Sequence, residues 1–340
     1  MSSHELQRTT SIVDTAHEGT MPGMRAGVIG AGAVGMSVAM VLHARGHLAW
    51  IVARSPRRRT ECRMAFASVP VLASCADIAS LPDWILISTP DAVIAPVARE
   101  CSEAGAWSHV DPATDRQSDP VVISHCAGAL HADVIAAAWT VGADRPAARR
   151  AIFAATHPFQ TFPYVSERLT HGIAWGIECA PQSVAADERR VASLVRCIGG
   201  TPVVLTPTAR DRKEIYHSVA VVASNYLTAV SAVAREAAHA ADIPPLEFLQ
   251  PIMRTAMESA LMSIARDAAP QLTGPIARGD TATVMTHCQA MRSAGEHALL
   301  RSYVLMALVT ADYAAREGFI DAAAHETMRA TLERELTRRS

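Results

Sequence analysis

The stretch Ala26-Gly27-Val28-Ile29-Gly30-Ala31-Gly32-Ala33-Val34-Gly35 decides the fold of this chain. Its apolar start predicts a buried strand, its glycines predict a tight turn, and the run from Met36 to Leu42 predicts a helix. A second apolar run, Leu48–Val52, predicts the next strand. Strand, glycine turn, helix and strand in this order are typical of a dinucleotide-binding unit, in which a pyrophosphate lies at the start of the helix.

Each glycine of the turn has its own role in this prediction. Gly30 permits the tight turn, Gly32 lets the backbone approach the pyrophosphate, and Gly35 lets the helix pack close to the strand. The alternative is an ordinary turn, because glycines also form turns that bind nothing. We expect the cofactor to contact Gly30, Ala31, Gly32, Ala33, Val34 and Gly35.

The end of the second strand indicates which dinucleotide binds. An NAD site usually carries an acid there, which binds the ribose 2′-hydroxyl. This chain instead carries Arg54 and Ser55, followed by Arg57–Arg59. Because a guanidinium binds phosphate through charge-assisted hydrogen bonds, we predict NADP(H), with Arg54, Ser55 and Arg58 among the cofactor contacts. A basic, solvated loop is the alternative interpretation.

Composition restricts the class of protein. The chain has 340 residues, half of them hydrophobic, which is enough for two domains and a large core. A formal net charge of −2 does not suggest a nucleic-acid or anionic-membrane partner. We expect no signal peptide and no apolar run of membrane-spanning length. Seven dispersed cysteines without a C-x-x-C pair favour reduced thiols in a cytoplasmic protein, and no histidine or cysteine spacing indicates a metal site.

The patterns along the chain predict an α/β fold, with an N-terminal Rossmann domain on a mostly parallel sheet and an all-helical C-terminal domain. We expect a disordered tail at 1–22, an NADP-binding domain at 23–206 and a helical substrate domain at 207–340, to which the family resemblance described below adds dimerisation. A loop is predicted at 110–120. A capping box at Thr208 is expected to start one long helix from Ala209 to Ala240.

Polar residues follow several predicted strands. Ser88, Thr89 and Pro90 follow the strand that begins at Trp84, and in a doubly wound sheet such positions face the cofactor crevice. We therefore expect them to line the nicotinamide half of the site, although a simple strand-to-helix turn is the alternative. His125 and His157 follow the next two apolar strands and are candidates for substrate binding; either histidine alone is also compatible with a structural role.

A second group of candidates lies on the predicted long helix. Its spacing places Lys213, His217, Ser224 and Asn225 on one face. His217 is a candidate proton donor, because imidazole exchanges protons readily near neutral pH. Asn225 lies in an apolar run, where a buried amide needs a partner that a substrate or a neighbouring helix would supply. Lys213 is expected to be a solvated surface lysine.

The segment Leu272-Thr273-Gly274-Pro275-Ile276-Ala277-Arg278-Gly279-Asp280 separates two predicted helices. Arg278 is a candidate for binding a substrate carboxylate through a bidentate pair. Asp280 either contributes to the same site or caps the following helix.

These motifs together resemble a known family. The glycine-rich start, Ser124–Gly128, His157–Gln160, His217–Asn225 and the 272–280 segment are similar to Rossmann-like proteins whose C-terminal part is catalogued as domain of unknown function 2520. The resemblance covers residues 24–335. More distantly, the layout resembles ketopantoate reductase, pyrroline-5-carboxylate reductase and the β-hydroxyacid dehydrogenases, which implies an NADP domain followed by a helical domain that commonly forms a homodimer.

The segment Asn225-Tyr226-Leu227-Thr228-Ala229 is similar to the Asn-Pro-Leu-Thr-Ala of ketopantoate reductases, whose asparagine contacts the substrate. Those enzymes carry a catalytic lysine where this chain has His217. Residues and resemblance together predict an NADPH-dependent reductase of a small carboxylate-bearing carbonyl compound, such as a ketopantoate-like 2-oxo acid. The predicted catalytic residues are His217 and Asn225, and the predicted substrate contacts are His125, His157, Ser224, Arg278 and Asp280. The alternatives are an imine reductase of pyrroline-carboxylate type and a non-catalytic NADP-sensing protein.

Overall fold

The computed structural model describes residues 21–103, 120–139 and 150–338. The predicted tail at 1–22 and the predicted loop at 110–120 therefore lie almost wholly outside the described residues. The chain divides into two compact units, one that runs through Ser224 and one that begins at Asn225. The last strand ends at Val204, and the predicted domain boundary at 206/207 stays a prediction.

Within its described residues, the first unit is built on an eight-stranded sheet, whose strands, numbered β1 to β8 in chain order, lie in the order β3-β2-β1-β4-β5-β6-β7-β8. All neighbouring strands are parallel except β6 and β7, which are antiparallel. The chain order reverses at β1, which lies between β2 and β4, and ligands of such sheets bind outside the carboxyl ends of the strands at this point. The strands are β1 Ala26–Ile29, β2 Leu48–Val52, β3 Val71–Leu72, β4 Trp84–Ile87, β5 Val121–His125, β6 Ala151–Pro158, β7 Ala174–Cys179 and β8 Thr201–Val204.

Helices cover both faces of the sheet, which explains why the central strands are continuously apolar. On β4, Trp84 and Leu86 belong to a core shared with the helices at 33–44 and 185–197. Ile85 and Ile87 belong to a second core shared with the helices at 94–103 and 133–138. The helices of this unit are α1 Ala33–Ala44, α2 Pro56–Ala65, α3 Ile94–Glu103, α4 Asp133–Ala138, α5 Ala185–Cys197, α6 Pro207–Asp211 and α7 Lys213–Ala220. The predicted α/β class with a mostly parallel sheet is confirmed.

The second unit is helical throughout its described residues, as predicted. Its own core joins side chains of α10, α11 and α12, among them Val284, Val304 and Met328. The helices are α8 Leu227–Ala240, α9 Pro245–Ala265, α10 Thr281–Ser293, α11 His297–Arg316 and α12 Ala322–Thr337.

The predicted long helix from Ala209 to Ala240 is present as one helical stretch from Lys213 to Ala240, but its start and its regularity differ from the prediction. The N-cap is Thr206, whose hydroxyl accepts the Ala209 N–H at 3.2 Å, because Pro207 occupies the first helical position. The α-helix is interrupted at Arg212, and a π-helical segment, Val221–Tyr226, follows α7. Such segments are uncommon and often accompany functional sites.

The expectation about membrane-spanning length is also corrected. The helical stretches Lys213–Ala240 and His297–Arg316 are long and apolar enough to cross a membrane by length and composition alone. Core helices of other proteins pass the same test, so the finding assigns no membrane location.

Candidate functional site

A cavity of about 230 Å³ lies where the glycine turn meets the ends of β2 and β4. With the exception of Ala53, every residue of its wall is a predicted cofactor residue. Ala33, Val34 and Gly35 carry the turn into α1 and are not part of the wall. The lining residues are Gly30, Ala31, Gly32, Ala53, Arg54, Ser55, Arg58, Ser88, Thr89 and Pro90.

The backbone of the turn has the geometry that the predicted glycine roles require. Gly30 has a φ of +106°, and a Cβ at Gly35 would lie 2.0 Å from the carbonyl oxygen of Gly30. Apart from its chain neighbours, no described residue has an atom within 4 Å of a Cβ placed on Gly32, so this exposed backbone faces open space. In the part of the chain that the structure describes, no side chain caps α1 at Gly32, which leaves N–H groups at its start for an anion.

Arg54 and Arg58 stand at the start of α2, where the Ser55 hydroxyl accepts the Arg58 N–H at 3.4 Å. Arg54 is ion-paired with Glu100, and Arg58 lies 2.6 Å from Glu61. The two side chains are 59% and 46% exposed. Because a guanidinium has five N–H donors, each retains capacity for a phosphate.

Ser88 and Thr89 contribute differently to the cavity. The Ser88 hydroxyl lies 3.1 and 2.9 Å from the carbonyl oxygens of Ile29 and Gly30 and so ties β4 to the glycine turn. Thr89 Oγ1 is buried and has no hydrogen-bond partner in the part of the chain that the structure describes. A polar group of a bound ligand would remove the cost of leaving this hydroxyl unpaired. Together with the open space at Gly32, this orphaned hydroxyl fits a dinucleotide.

Two histidines meet at Gly128, which follows β5. A Cβ on Gly128 would lie 2.2 Å from His217 Nδ1 and 2.8 Å from His157 Nε2, so any larger residue would displace both rings. The ring centroids of His157 and His217 are 5.5 Å apart. His217 Nδ1 is buried without a hydrogen-bond partner among the described residues. The structure thus brings the two predicted residues together, and we call them the histidine pair.

The histidine pair includes one imidazole that is neutral at pH 7. Burial, which is the largest cause, acts together with the nearby His217, Lys213 and His125 to lower the pKa of His157 to about 4. His157 Nδ1 lies 2.9 Å from the hydroxyl of Tyr216, whose own pKa burial raises to about 12. His157 therefore takes part in hydrogen bonding at neutral pH without carrying a charge.

His125 is fully buried, and the backbone engages both of its ring nitrogens. Its Nδ1 accepts the Ala127 N–H at 3.2 Å, and its Nε2 lies 3.1 Å from the carbonyl oxygen of His131. Burial lowers its pKa to about 4. No ring nitrogen remains for a substrate, so the expected substrate contact gives way to a structural role in the turn after β5.

The expected solvated position of Lys213 is wrong. The side chain is 1% exposed and ion-paired with Glu178 on β7. The other carboxylate oxygen of Glu178 lies 3.0 Å from His131 Nδ1 and accepts the Ala132 N–H at 3.3 Å. Burial raises the pKa of Glu178, but the hydrogen bonds from Lys213 and His131 outweigh it and lower the net value. Burial lowers the pKa of Lys213, against the opposing effect of Glu178.

The remaining predicted residues lie at the boundary or in the second unit. Ser224 ends the first unit, and its hydroxyl donates to the Ala220 carbonyl at 2.7 Å. Asn225 is exposed, not buried as its apolar surroundings suggested, and Arg278 is exposed at the end of a 3₁₀ turn. Asp280 caps α10, because its carboxylate accepts hydrogen bonds from the N–H and the hydroxyl of Thr283 at 3.0 and 2.6 Å. Capping was the alternative to a substrate role for this residue. Substrate roles for Ser224, Asn225 and Arg278 stay predictions.

Gly128, Tyr216 and Glu178 are site residues that sequence reasoning missed. Gly128 stands in a quoted motif, and a glycine directly after a strand indicates a close approach. Tyr216 precedes His217 but falls outside the helix face that the spacing selected. Glu178 gives no sequence signal, since it meets Lys213 only through the folding of the sheet.

Two family models match the chain. Residues 25–111 match the model described as NADP oxidoreductase, coenzyme F420-dependent, and residues 173–310 match the domain of unknown function 2520. No protein with a curated description matches. The matched segments contain the glycine turn with its cavity and the helix that carries His217.

Solved structures share the fold at low sequence identity. A protein from Bacteroides fragilis described as an NADP oxidoreductase is 17% identical with a TM-score of 0.64, over 85% of this chain and 98% of that one. Pyrroline carboxylate reductase from Plasmodium falciparum, solved with NADP bound, is 13% identical with a TM-score of 0.53, over 92% and 99%. A reductive aminase from Aspergillus terreus, in complex with NADPH and ethyl-5-oxohexanoate, is 15% identical with a TM-score of 0.53, over 92% and 94%.

Proposed function

Because the chain is an NADP-dependent oxidoreductase with a domain of unknown function 2520, we propose that it reduces a small carboxylate-bearing carbonyl compound at the histidine pair. The observation that carries this proposal is the buried, unpartnered Nδ1 of His217 at Gly128. Gly128 follows β5, which lies beside β4 on the carboxyl edge of the sheet that also holds the dinucleotide cavity. A ketopantoate-like 2-oxo acid is the substrate class that we favour.

NADPH, when bound, supplies the hydride. The backbone from Gly30 to Gly32 and the start of α1 would hold the pyrophosphate, and Arg54, Ser55 and Arg58 would hold the 2′-phosphate. Ser88, Thr89 and Pro90 at the end of β4 would then line the nicotinamide half. His157 lies near the end of β6, and the pair meets at Gly128 just after β5. Because β5 is the neighbour of β4 and neighbouring strands are about 4.8 Å apart, the histidine pair would lie on the nicotinamide side of the bound cofactor.

The histidine pair supplies the chemistry that carbonyl reduction needs from the protein. Negative charge develops on the carbonyl oxygen, and His217 donates a proton to it. His157, neutral at pH 7, donates a hydrogen bond to an oxygen of the same substrate. Gly128 leaves room for the two rings because it has no side chain.

Imine reduction of pyrroline-carboxylate type is the second candidate. The neutral state of His157 favours it, because a cationic imine tolerates a neutral neighbour better than a charged one. A protonated imine also brings its own proton and needs no general acid.

We expect NADPH oxidation with ketopantoate, other 2-oxo acids or cyclic imino acids, followed by absorbance at the nicotinamide band. The methyl ester of an accepted acid should be the poorer substrate, because it lacks the carboxylate. If NADPH binds tightly but none of these compounds is turned over, the proposed substrate class is wrong.

We also propose that the second unit forms a homodimer and that the protein is cytoplasmic. Large apolar side chains of α9 are exposed in the isolated chain, including Leu246, Phe248, Ile252, Leu261 and Ile264. Apolar patches of this kind mark association surfaces, and a second copy would bury them.

Light scattering coupled to size-exclusion chromatography should give twice the chain mass of 36.2 kDa. Ile252→Glu should shift the protein towards the monomer, because a carboxylate would be buried at the interface. Glu247→Gln on the same helix is the matched control. A wild-type protein that stays monomeric at all concentrations contradicts the dimer.

A further inference from the structure

Tyr216 holds His157 on the side of the ring away from Gly128. Its hydroxyl lies 2.9 Å from His157 Nδ1, whereas Nε2 is the ring nitrogen next to Gly128. Gly176 on β7 makes room for this hydroxyl, because a Cβ there would lie 2.2 Å from the hydroxyl oxygen. The Tyr216 hydroxyl is therefore confined between the β7 backbone and one imidazole nitrogen.

The direction of this hydrogen bond follows from the chemistry of the two groups. His157 Nδ1 is the one hydrogen-bond partner of the Tyr216 hydroxyl among the described residues. A phenol that keeps its proton at neutral pH then donates to Nδ1, since the opposite arrangement leaves a half-buried O–H without an acceptor. A ring nitrogen that accepts carries no proton, so the single proton of neutral His157 is on Nε2.

We propose that Tyr216 is a positioning residue that fixes His157 as the Nε2–H tautomer, a neutral hydrogen-bond donor beside Gly128 and His217. The inference rests on the proposed function, and it assigns different roles to the two histidines. His157 donates a hydrogen bond and retains its proton, whereas His217 transfers its proton to the substrate. The titratable groups around His157, besides Tyr216, are His217, Lys213 and His125.

This tautomer narrows the substrate class. An N–H donor at this position pairs with a carbonyl or carboxylate oxygen, which has lone pairs to accept it. The N–H of a protonated imine would face a second donor there. The arrangement therefore favours a carbonyl oxygen over a cationic imine nitrogen as the group opposite His157.

The test is nitrogen-15 NMR of the full chain with labelled histidine, which distinguishes the two neutral tautomers of an imidazole. Wild-type His157, assigned by its loss in His157→Gln, should carry its proton on Nε2. In Tyr216→Phe the imidazole of His157 loses the hydroxyl that donates to its Nδ1, and we expect a mixture of both His157 tautomers. The kcat of this variant should fall about tenfold with little change in KM, which is the scale of one lost hydrogen bond. Tyr164→Phe, an exposed tyrosine of the same unit, is the control and should match the wild type.

The outcomes separate this inference from the proposed function. A wild-type proton on Nδ1, or a tautomer that Tyr216→Phe leaves unchanged, overturns the inference whether or not substrates are turned over. Partial rescue in His157→Gln relative to His157→Ala supports a neutral donor role, because the glutamine amide donates an N–H without titrating. A correct tautomer that depends on Tyr216 in a protein that reduces none of the substrates contradicts only the proposed function.

Discussion

His217→Ala is expected to lower kcat for a ketone substrate by about 10²- to 10⁴-fold, the contribution usual for a general acid. The side chain stands at Gly128, outside the wall of the dinucleotide cavity. NADPH affinity, measured by fluorescence titration, should therefore change little. The loss should appear in kcat and kcat/KM together, since the proton is needed as charge develops on the substrate oxygen and not in the ground state.

The same substitution distinguishes ketone from imine reduction. A protonated imine becomes a neutral amine as it is reduced and needs no proton from His217, so its loss should be much smaller. His239→Ala, which removes an exposed histidine of α8, is the control and should retain wild-type activity. Equal losses on the two substrate types would contradict the assignment of His217 as proton donor.

The fold of the first unit could be predicted because its signals are local. Continuous apolar runs bounded by glycine and proline define β1, β2 and β4, and the glycine turn fixes where the cofactor cavity lies. The same locality explains why Arg54, Ser55 and Arg58, which come soon after β2 in the sequence, line the cavity. Pro207 at the first helical position moves the cap two residues upstream, from Thr208 to Thr206. The interruption at Arg212 could not be predicted, because neither glycine nor proline stands there to indicate it.

The histidine pair could be predicted only as a list of residues. His157 lies near the end of β6 and His217 lies on α7, and nothing in their spacing shows that they meet at Gly128. The role of His125 failed for the same reason, because its backbone partners at Ala127 and His131 become visible only once the turn is folded. Local patterns place elements, whereas contacts between side chains of distant elements depend on packing.

Lys213 shows this limit most clearly, because its partner Glu178 is distant in the sequence. Lys213 is also the one lysine in the sequence, in which arginine is otherwise used throughout. Its burial against Glu178 explains why the residue type matters there. An ammonium is compact and loses its proton more readily than a guanidinium, which is larger, planar and always charged. Lys213→Arg is therefore not a conservative change at this site.

Lys213→Met is expected to lower the free energy of unfolding by about 3–5 kcal/mol at pH 7, because it leaves the Glu178 carboxylate buried without its charge partner. Chemical denaturation followed by circular dichroism measures this loss. Arg57→Met, which removes an ion pair at a side chain that is 86% exposed, should cost less than about 1 kcal/mol and is the control. Lys213→Met combined with Glu178→Gln should recover part of the loss, since no unpaired buried charge remains.

The pH dependence gives this prediction a definite sign. In the wild type the pKa of Glu178 is lowered from its usual 4.5, so the stability it contributes is present above pH 4.5 and is lost as the pH falls through the lowered value. In Lys213→Met burial dominates and raises the pKa of Glu178, so the buried carboxylate costs most at neutral pH and least once it is protonated. The stability difference between wild type and variant should therefore shrink as the pH falls from the raised pKa of Glu178 in the variant to its lowered pKa in the wild type. A difference that stays constant or grows in acid would show that the pair does not stabilise the fold through its charges.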